Sequence, residues 1–248
     1  LFVAVVATEG GIVALGKSAA DHDRQQSNIA LAEMKKTVAH VTNLSSGSSG
    51  SIDMRIKSQG EAGEMERVSK LAAARTISAA KKYRSKLAAL DYPGFMLPTR
   101  LAADRGLAQT EVRLEKARAA VKTYRLETEA NISGLRADAQ QSKMSESVKA
   151  KFMAGVAKGV SENLENTERI LDCEDGIFSE FEAIAALLAR PHGRWVASGK
   201  TIQFSDQRDL ADYQAHILKI QSLAGEERNR AADAKSRMAA QDAKLHAN

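Results

Sequence analysis

At 248 residues the chain has room for one large or two small domains, but only 4 % of it is aromatic while 43 residues are Ala, which excludes a thick globular core and favours thin contacts between closely spaced helices. Its 36 Lys and Arg and 31 Asp and Glu are interleaved and leave a formal charge of +5, the pattern of a solvated helix surface and not of the segregated basic face that a nucleic acid needs. The single cysteine, Cys173, excludes an internal disulfide and a multi-cysteine metal site, and its acidic neighbours Asp172, Glu174 and Asp175 disfavour a reactive thiolate.

Leu1 to Ala7 is a purely apolar run, followed by Glu9, two glycines and Ile12 to Leu15. Residues 1–16 are read as the distal part of a transmembrane helix or signal anchor that begins upstream. A signal-peptide remnant and a buried strand or core helix stay open as alternatives. The flank is balanced, with Lys17 and Arg24 against Asp21 and Asp23, where a cytoplasmic flank would be enriched in Lys and Arg. That places the downstream chain on the non-cytoplasmic side.

Residues 17–44 form an amphipathic helix with one apolar seam, Leu31, Met34, Val38 and Val41, spaced 3, 4 and 3. The stretch 45–60 is a flexible linker by composition, with Ser and Gly from Ser45 to Ser51, natural or engineered. Because the seam precedes this linker, it is expected to pack against another copy or a partner chain. Ile52, Met54 and Ile56 alternate and admit a short strand.

Residues 61–172 are expected to form a long helical hairpin or bundle. Its first helix runs from Glu61 to Leu90, with Met65, Val68, Leu71 and Ala72 and then Ala80, Tyr83, Leu87 and Leu90 as its seam. It carries the most basic stretch of the chain: Arg67, Lys70, Arg75, Lys81, Lys82, Arg84 and Lys86, a candidate surface for anionic lipid. Pro93, Gly94 and Pro98 stop it, and Thr99 is the expected N-cap of a helix running from Arg100 to about Gln141. There Leu107, Leu114 and Val121 recur every seven residues, with Thr110, Ala117 and Tyr124 at companion positions. A further helix, Ser142 to Leu171, has Val148, Phe152, Val156 and Val160 at steps of four.

Residues 173–248 then give a helix, a β-hairpin and a C-terminal helix. The densest apolar cluster, Ile177, Phe178, Phe181, Ile184, Leu187 and Leu188, ends before Pro191-His192-Gly193. Arg194 to Phe204 reads as the hairpin, turning at Ser198-Gly199. Trp195 and Phe204 are expected to pack on Phe178, Phe181 and Leu188. Ser205 is the expected cap of the last helix, whose seam is Leu210, Tyr213, Ile217 and Ile220.

The segment from Arg194 to Ser205, followed by Leu210 to Gln214, resembles the C-terminal part of an uncharacterised family of helical bacterial envelope lipoproteins, through Gly199, Ile202, Phe204 and Tyr213. The resemblance spans about 30 residues; it implies a cell-envelope location and no site residues, and the chain has no cysteine near its start to carry a lipid.

No catalytic constellation emerges. The histidines His22, His40, His192, His216 and His246 lack metal-ligand spacing, and Asp21-His22-Asp23 is a solvated turn. Asp212 and His216 are a surface i,i+4 pair. Gly199-Lys200-Thr201 ends like a phosphate loop, but the Walker spacing puts Arg194 where a glycine is required. The sequence therefore predicts an all-α, elongated antiparallel long-helix bundle or coiled coil with one small β-hairpin near residues 194–204. It predicts no enzyme activity, no cofactor, no metal, no nucleic acid and no small-molecule substrate. The expected function is a membrane-tethered scaffold for protein partners, homo- or hetero-oligomeric, in the cell envelope. A virion or secretion-machine component and a peripheral binder of anionic membranes are the alternatives.

Overall fold

The computed structural model describes residues 21–45, 51–190 and 195–246. Six α-helices and one two-stranded sheet account for nearly all of them: α1 (Asp21–Ser45), α2 (Gly60–Ala89), α3 (Pro98–Ala103), α4 (Ala108–Gln141), α5 (Glu146–Leu188), the hairpin β1 (Trp195–Ser198) and β2 (Thr201–Phe204), and α6 (Gln207–His246). The all-α bundle with a small hairpin is thus the architecture of the chain. The membrane-anchor residues 1–16, the centre of the Ser/Gly linker and Pro191-His192-Gly193 lie outside the described residues.

The residues divide into two compact units. The first draws on the chain up to Lys81, Leu126–Glu168 and the chain from Ala231; the second is Lys82–Arg125 with Arg169–Arg230. In the first unit, Met65, Val68 and Ala72 of α2 meet Ile132, Leu135 and Ala139 of α4, and Phe152, Val156 and Val160 of α5, in one apolar core. The steps of four along α5 and of three and four along α2 put these side chains on one stripe of each helix. Small residues keep the contacts thin: Ala139 in this unit, and Ala117 and Ala120 in the other, are almost wholly buried.

Each helix boundary has a local cause. Segment 51–59 forms no strand: Ile52, Met54 and Ile56 find no partner strand, and Met54 and Ile56 stay exposed. Instead the Lys57 and Ser58 N–H groups donate to the Glu66 carboxylate at 3.0–3.2 Å, tying the segment to α2. Gly63 allows this approach, because a Cβ there would sit 2.6 Å from the Ser58 carbonyl oxygen. Beyond α2, Asp91 takes the left-handed conformation (φ 54°) and accepts a hydrogen bond from Arg100 at 2.7 Å.

Thr99 is not the cap of α3. The N-cap is Leu97, and Pro98 occupies the first helical position, where its missing N–H is no loss. The predicted helix from Arg100 to Gln141 is broken at Asp104–Leu107, where Gly106 adopts φ 75°. Asp104 stabilises the break: its carboxylate accepts the Gln109 and Thr110 N–H groups and the Thr110 hydroxyl, satisfying donors that α4 leaves open. The heptad seam Leu107, Leu114 and Val121 is buried as its spacing predicts.

Between α4 and α5, the Lys143 N–H donates to Glu64 and the Ser145 N–H to Glu61, so two α2 carboxylates hold the turn and the start of α5. α5 then runs 43 residues without interruption, where two helices were predicted. In the second unit, β1 pairs antiparallel with β2 in the register Trp195↔Phe204 to Ser198↔Thr201, and β1 lies against α3. Asp206, not Ser205, caps α6, its carboxylate accepting the Arg208 N–H at 2.7 Å.

Candidate functional site

The predicted partner seam turns inward. Met34 is fully buried with Ala30 and Ala62, its sulfur accepting the Ser69 hydroxyl at 3.3 Å, and Leu31 packs on the same cluster. For Leu31 and Met34 the expectation of a partner chain is therefore corrected: α1 folds back onto α2 across the linker, and the Gln59 N–H donating to the Gln26 side chain fixes that return. Val38 is half-buried, and the side chain of Val41 lies outside the described residues.

The basic stretch is also not one surface. Lys70 is 1 % exposed, its ammonium donating to Glu66 at 2.6 Å and to the Arg55 carbonyl at 2.7 Å, with Glu33 at 3.4 Å. An anionic-surface role is excluded for it by burial. Arg67 is paired with Glu64 and Arg75 with Asp138. Lys81, Lys82 and Lys86 are exposed, and Arg84 is half-buried.

Around Lys70 the first unit holds its most concentrated charge. Burial opposes ionisation of Glu33, but hydrogen bonds from Lys36, Lys57 and Lys70 outweigh it and hold the carboxyl down at about 2. Glu66 is likewise desolvated and likewise lowered, by Lys70, by Ser58 and by the backbone N–H groups of Ser58 and Lys57. Such a network fixes geometry: it locks segment 55–59, α1 and α2 into one arrangement. The i,i+4 spacing of Glu66 and Lys70 was visible in the sequence, but their burial was not, since it depends on segment 55–59 closing over them.

In the second unit the polar groups again link helices. Arg118 of α4 bridges Asp175 and Glu182 of α5 at 2.9–3.2 Å, and Arg125 reaches Asp172 at 3.1 Å. Arg118, Arg125, Asp175 and Glu182 line, with Glu115 and Lys122, a shallow groove of about 510 Å³. Its two guanidinium groups already face carboxylates, which leaves little positive charge for an anionic ligand. Deeper in, the Tyr83 hydroxyl donates to Glu174 at 2.6 Å, and Tyr83 stacks on Tyr124. Burial lifts the Glu174 carboxyl to about 7, helped by Glu227 and opposed by the Tyr83 hydrogen bond. Burial also pushes the Tyr83 hydroxyl and the Cys173 thiol up, consistent with an unreactive cysteine.

Phe178 packs edge-on to Tyr92 and lies beside Phe95. Of the contacts expected for the hairpin, Trp195 reaches Leu188: its indole N–H donates to the Leu188 carbonyl at 2.7 Å with the ring half-buried, while Phe204 meets Tyr213. His216 pairs with Glu180 of α5 instead of Asp212. Gly199 (φ 59°) and Lys200 are the turn of the hairpin, which accounts for the Gly-Lys-Thr string without a phosphate.

Among the described residues no group of three or more His, Cys, Asp or Glu is placed to hold a metal, and no helix is long and apolar enough to cross a membrane. What these residues do chemically is bind one helix to the next. No protein-family model, curated protein or solved structure matches the chain.

Proposed function

We propose that the chain is a non-enzymatic helical structural subunit, tethered to a membrane by its N-terminal residues, that presents long helices to partner proteins in the cell envelope. The observation that carries this reading is large apolar side chains left on the outer faces of long helices: Leu218 on α6 is 65 % exposed and Val112 on α4 is 47 % exposed. These helices are otherwise tied down by ion pairs, so their outer faces are presented on a fixed frame. The partner surface is assigned to these faces and no longer to Leu31 and Met34.

The tether rests on the uninterrupted apolar run Leu1 to Ala7, and the envelope location on the balanced flank and on the family resemblance of the hairpin segment. The test is fractionation of the native protein with crosslinking in cells. Detergent-dependent recovery from membranes is expected, with a crosslinked partner that Leu218→Glu or Val112→Glu removes. Recovery in the soluble fraction would end the tether, and crosslinks unmoved by both substitutions would end the assigned partner faces.

A further inference from the structure

One face of the unbroken helix α4 is left open. Val112 is 47 % exposed and Leu126 is 56 % exposed, and Ala119, midway between them, is exposed as well. Steps of seven residues keep these three side chains within about 20° of one line along the helix. Ala108 and Ala130 extend the same line at its two ends, and both are exposed. Between them, on one flank of the line, stand Glu115 and Lys122, both exposed. Among the described residues neither has an ion-pair partner in its own chain.

This stripe reads nearly alike in both directions from Ala119. A second copy laid antiparallel across it, about a two-fold axis at Ala119, sets Val112 of one copy against Leu126 of the other, and Ala108 against Ala130. Glu115 lies four residues before the axis and Lys122 three residues after it, on the same flank. The two-fold therefore brings Glu115 of each copy beside Lys122 of the other, offset by about 1.5 Å along the helix. On the opposite flank Lys116 meets Thr123, so no like charges are opposed. Ala119 at the axis lets the two backbones approach. The groove beside the stripe, lined in part by Glu115 and Lys122, leaves room for the charged pairs.

We propose that the partner received by the outer face of α4 is a second copy of this chain, paired antiparallel about Ala119. The inference rests on the assignment of that face to a partner and names the partner. A face built for an unrelated helix has no need to be complementary to itself. The stripe is about 33 Å long and one helix wide, less than a standard protein interface, so the dimer is weak, with a dissociation constant on the order of 10–100 µM.

Sedimentation equilibrium of the full chain in density-matched detergent should show that monomer–dimer equilibrium. Glu115→Lys and Lys122→Glu should each weaken it about tenfold, since each reverses two symmetry-related pairs, and the two substitutions together should restore it to within about twofold. Both side chains are exposed, so the fold is not at stake. Under mild oxidation Ala119→Cys should form a disulfide between copies at the axis. Val112→Cys should not, because its two copies lie about 21 Å apart along the pair. Wild type, with its buried Cys173, gives the background. A chain that stays monomeric at about 1 mM would overturn the self-pairing. So would a double charge swap that fails to restore it, or a Val112→Cys disulfide that forms as fast as the Ala119→Cys one. If self-pairing fails while Val112→Glu still removes a crosslink to a different protein, the second copy falls and the partner face stands, which separates the two readings.

Discussion

Lys70 is the side chain whose loss should be felt most. It sits between Glu33 and Glu66, all three almost fully buried, and removing the cation leaves two carboxylates desolvated with fewer partners. Breaking a buried pair from one side costs more than the pair itself contributes. Lys70→Ala should therefore destabilise the chain by about 3–5 kcal/mol in urea unfolding. Lys81→Ala, at an exposed position, should cost well under that. Equal effects would mean that the network is not buried in solution. Gly63 offers a second residue-scale test. A methyl group there meets the Ser58 carbonyl oxygen at 2.6 Å, so Gly63→Ala should cost about 1–3 kcal/mol. In the interior of a helix exchanging Gly for Ala ordinarily stabilises, and a gain in melting temperature would show that segment 55–59 does not close over α2.

At the scale of elements, helical periodicity was legible where apolar residues recur at three and four: Met65, Val68, Ala72, Ala80 and Tyr83 of α2, Leu114 and Val121 of α4, and Phe152, Val156 and Val160 of α5 are buried as their spacing predicts, whereas Leu71, Leu87 and Leu90 of the expected α2 seam are only half-buried. The continuity of α5 was not. Asp172-Cys173-Glu174-Asp175-Gly176 looks like an interruption, a polar run ending in glycine. In the structure Asp172 and Asp175 face arginines of α4, Glu174 accepts from Tyr83, and Gly176 admits Leu223. Partners far away in sequence decide that burial, and periodicity carries no information about them. The caps show the same limit at shorter range, since Ser205 and Asp206 are both acceptable N-caps by type and only the backbone geometry selects Asp206. Asp206→Ala should cost about 0.5–2 kcal/mol, whereas Ser205→Ala should stay within about 0.5 kcal/mol. Thermal unfolding of the two variants decides it, and a larger loss for Ser205→Ala would move the cap back by one residue.

For the molecule as a whole, the candidate site was less legible than the fold, because both residue sets singled out by pattern were surface assignments, and pattern cannot separate a solvated Lys from one closed over by a neighbouring segment. Burial of charge has a consequence for the entire chain. Glu174 ionises at about 7 in the folded protein against 4.5 for the free group. Between those values the folded state keeps a proton that the unfolded state has released, so stability falls as pH rises through the window. Below pH 4.5 both states are protonated and the loss is absent; above 7 it is complete, at about 3 kcal/mol. Glu33 acts at the other end, since its carboxyl is held at about 2 and its contribution disappears only as pH falls from 4.5 toward that value. Stability is therefore expected to be greatest near pH 5 and to decline toward pH 8. Urea unfolding of wild type and Glu174→Gln at the two pH values isolates the cause. The variant should lose about 3 kcal/mol less than wild type on going from pH 5 to pH 8. A pH dependence that is the same in both proteins would place the titrating group elsewhere and leave Glu174 charged in its buried position at neutral pH.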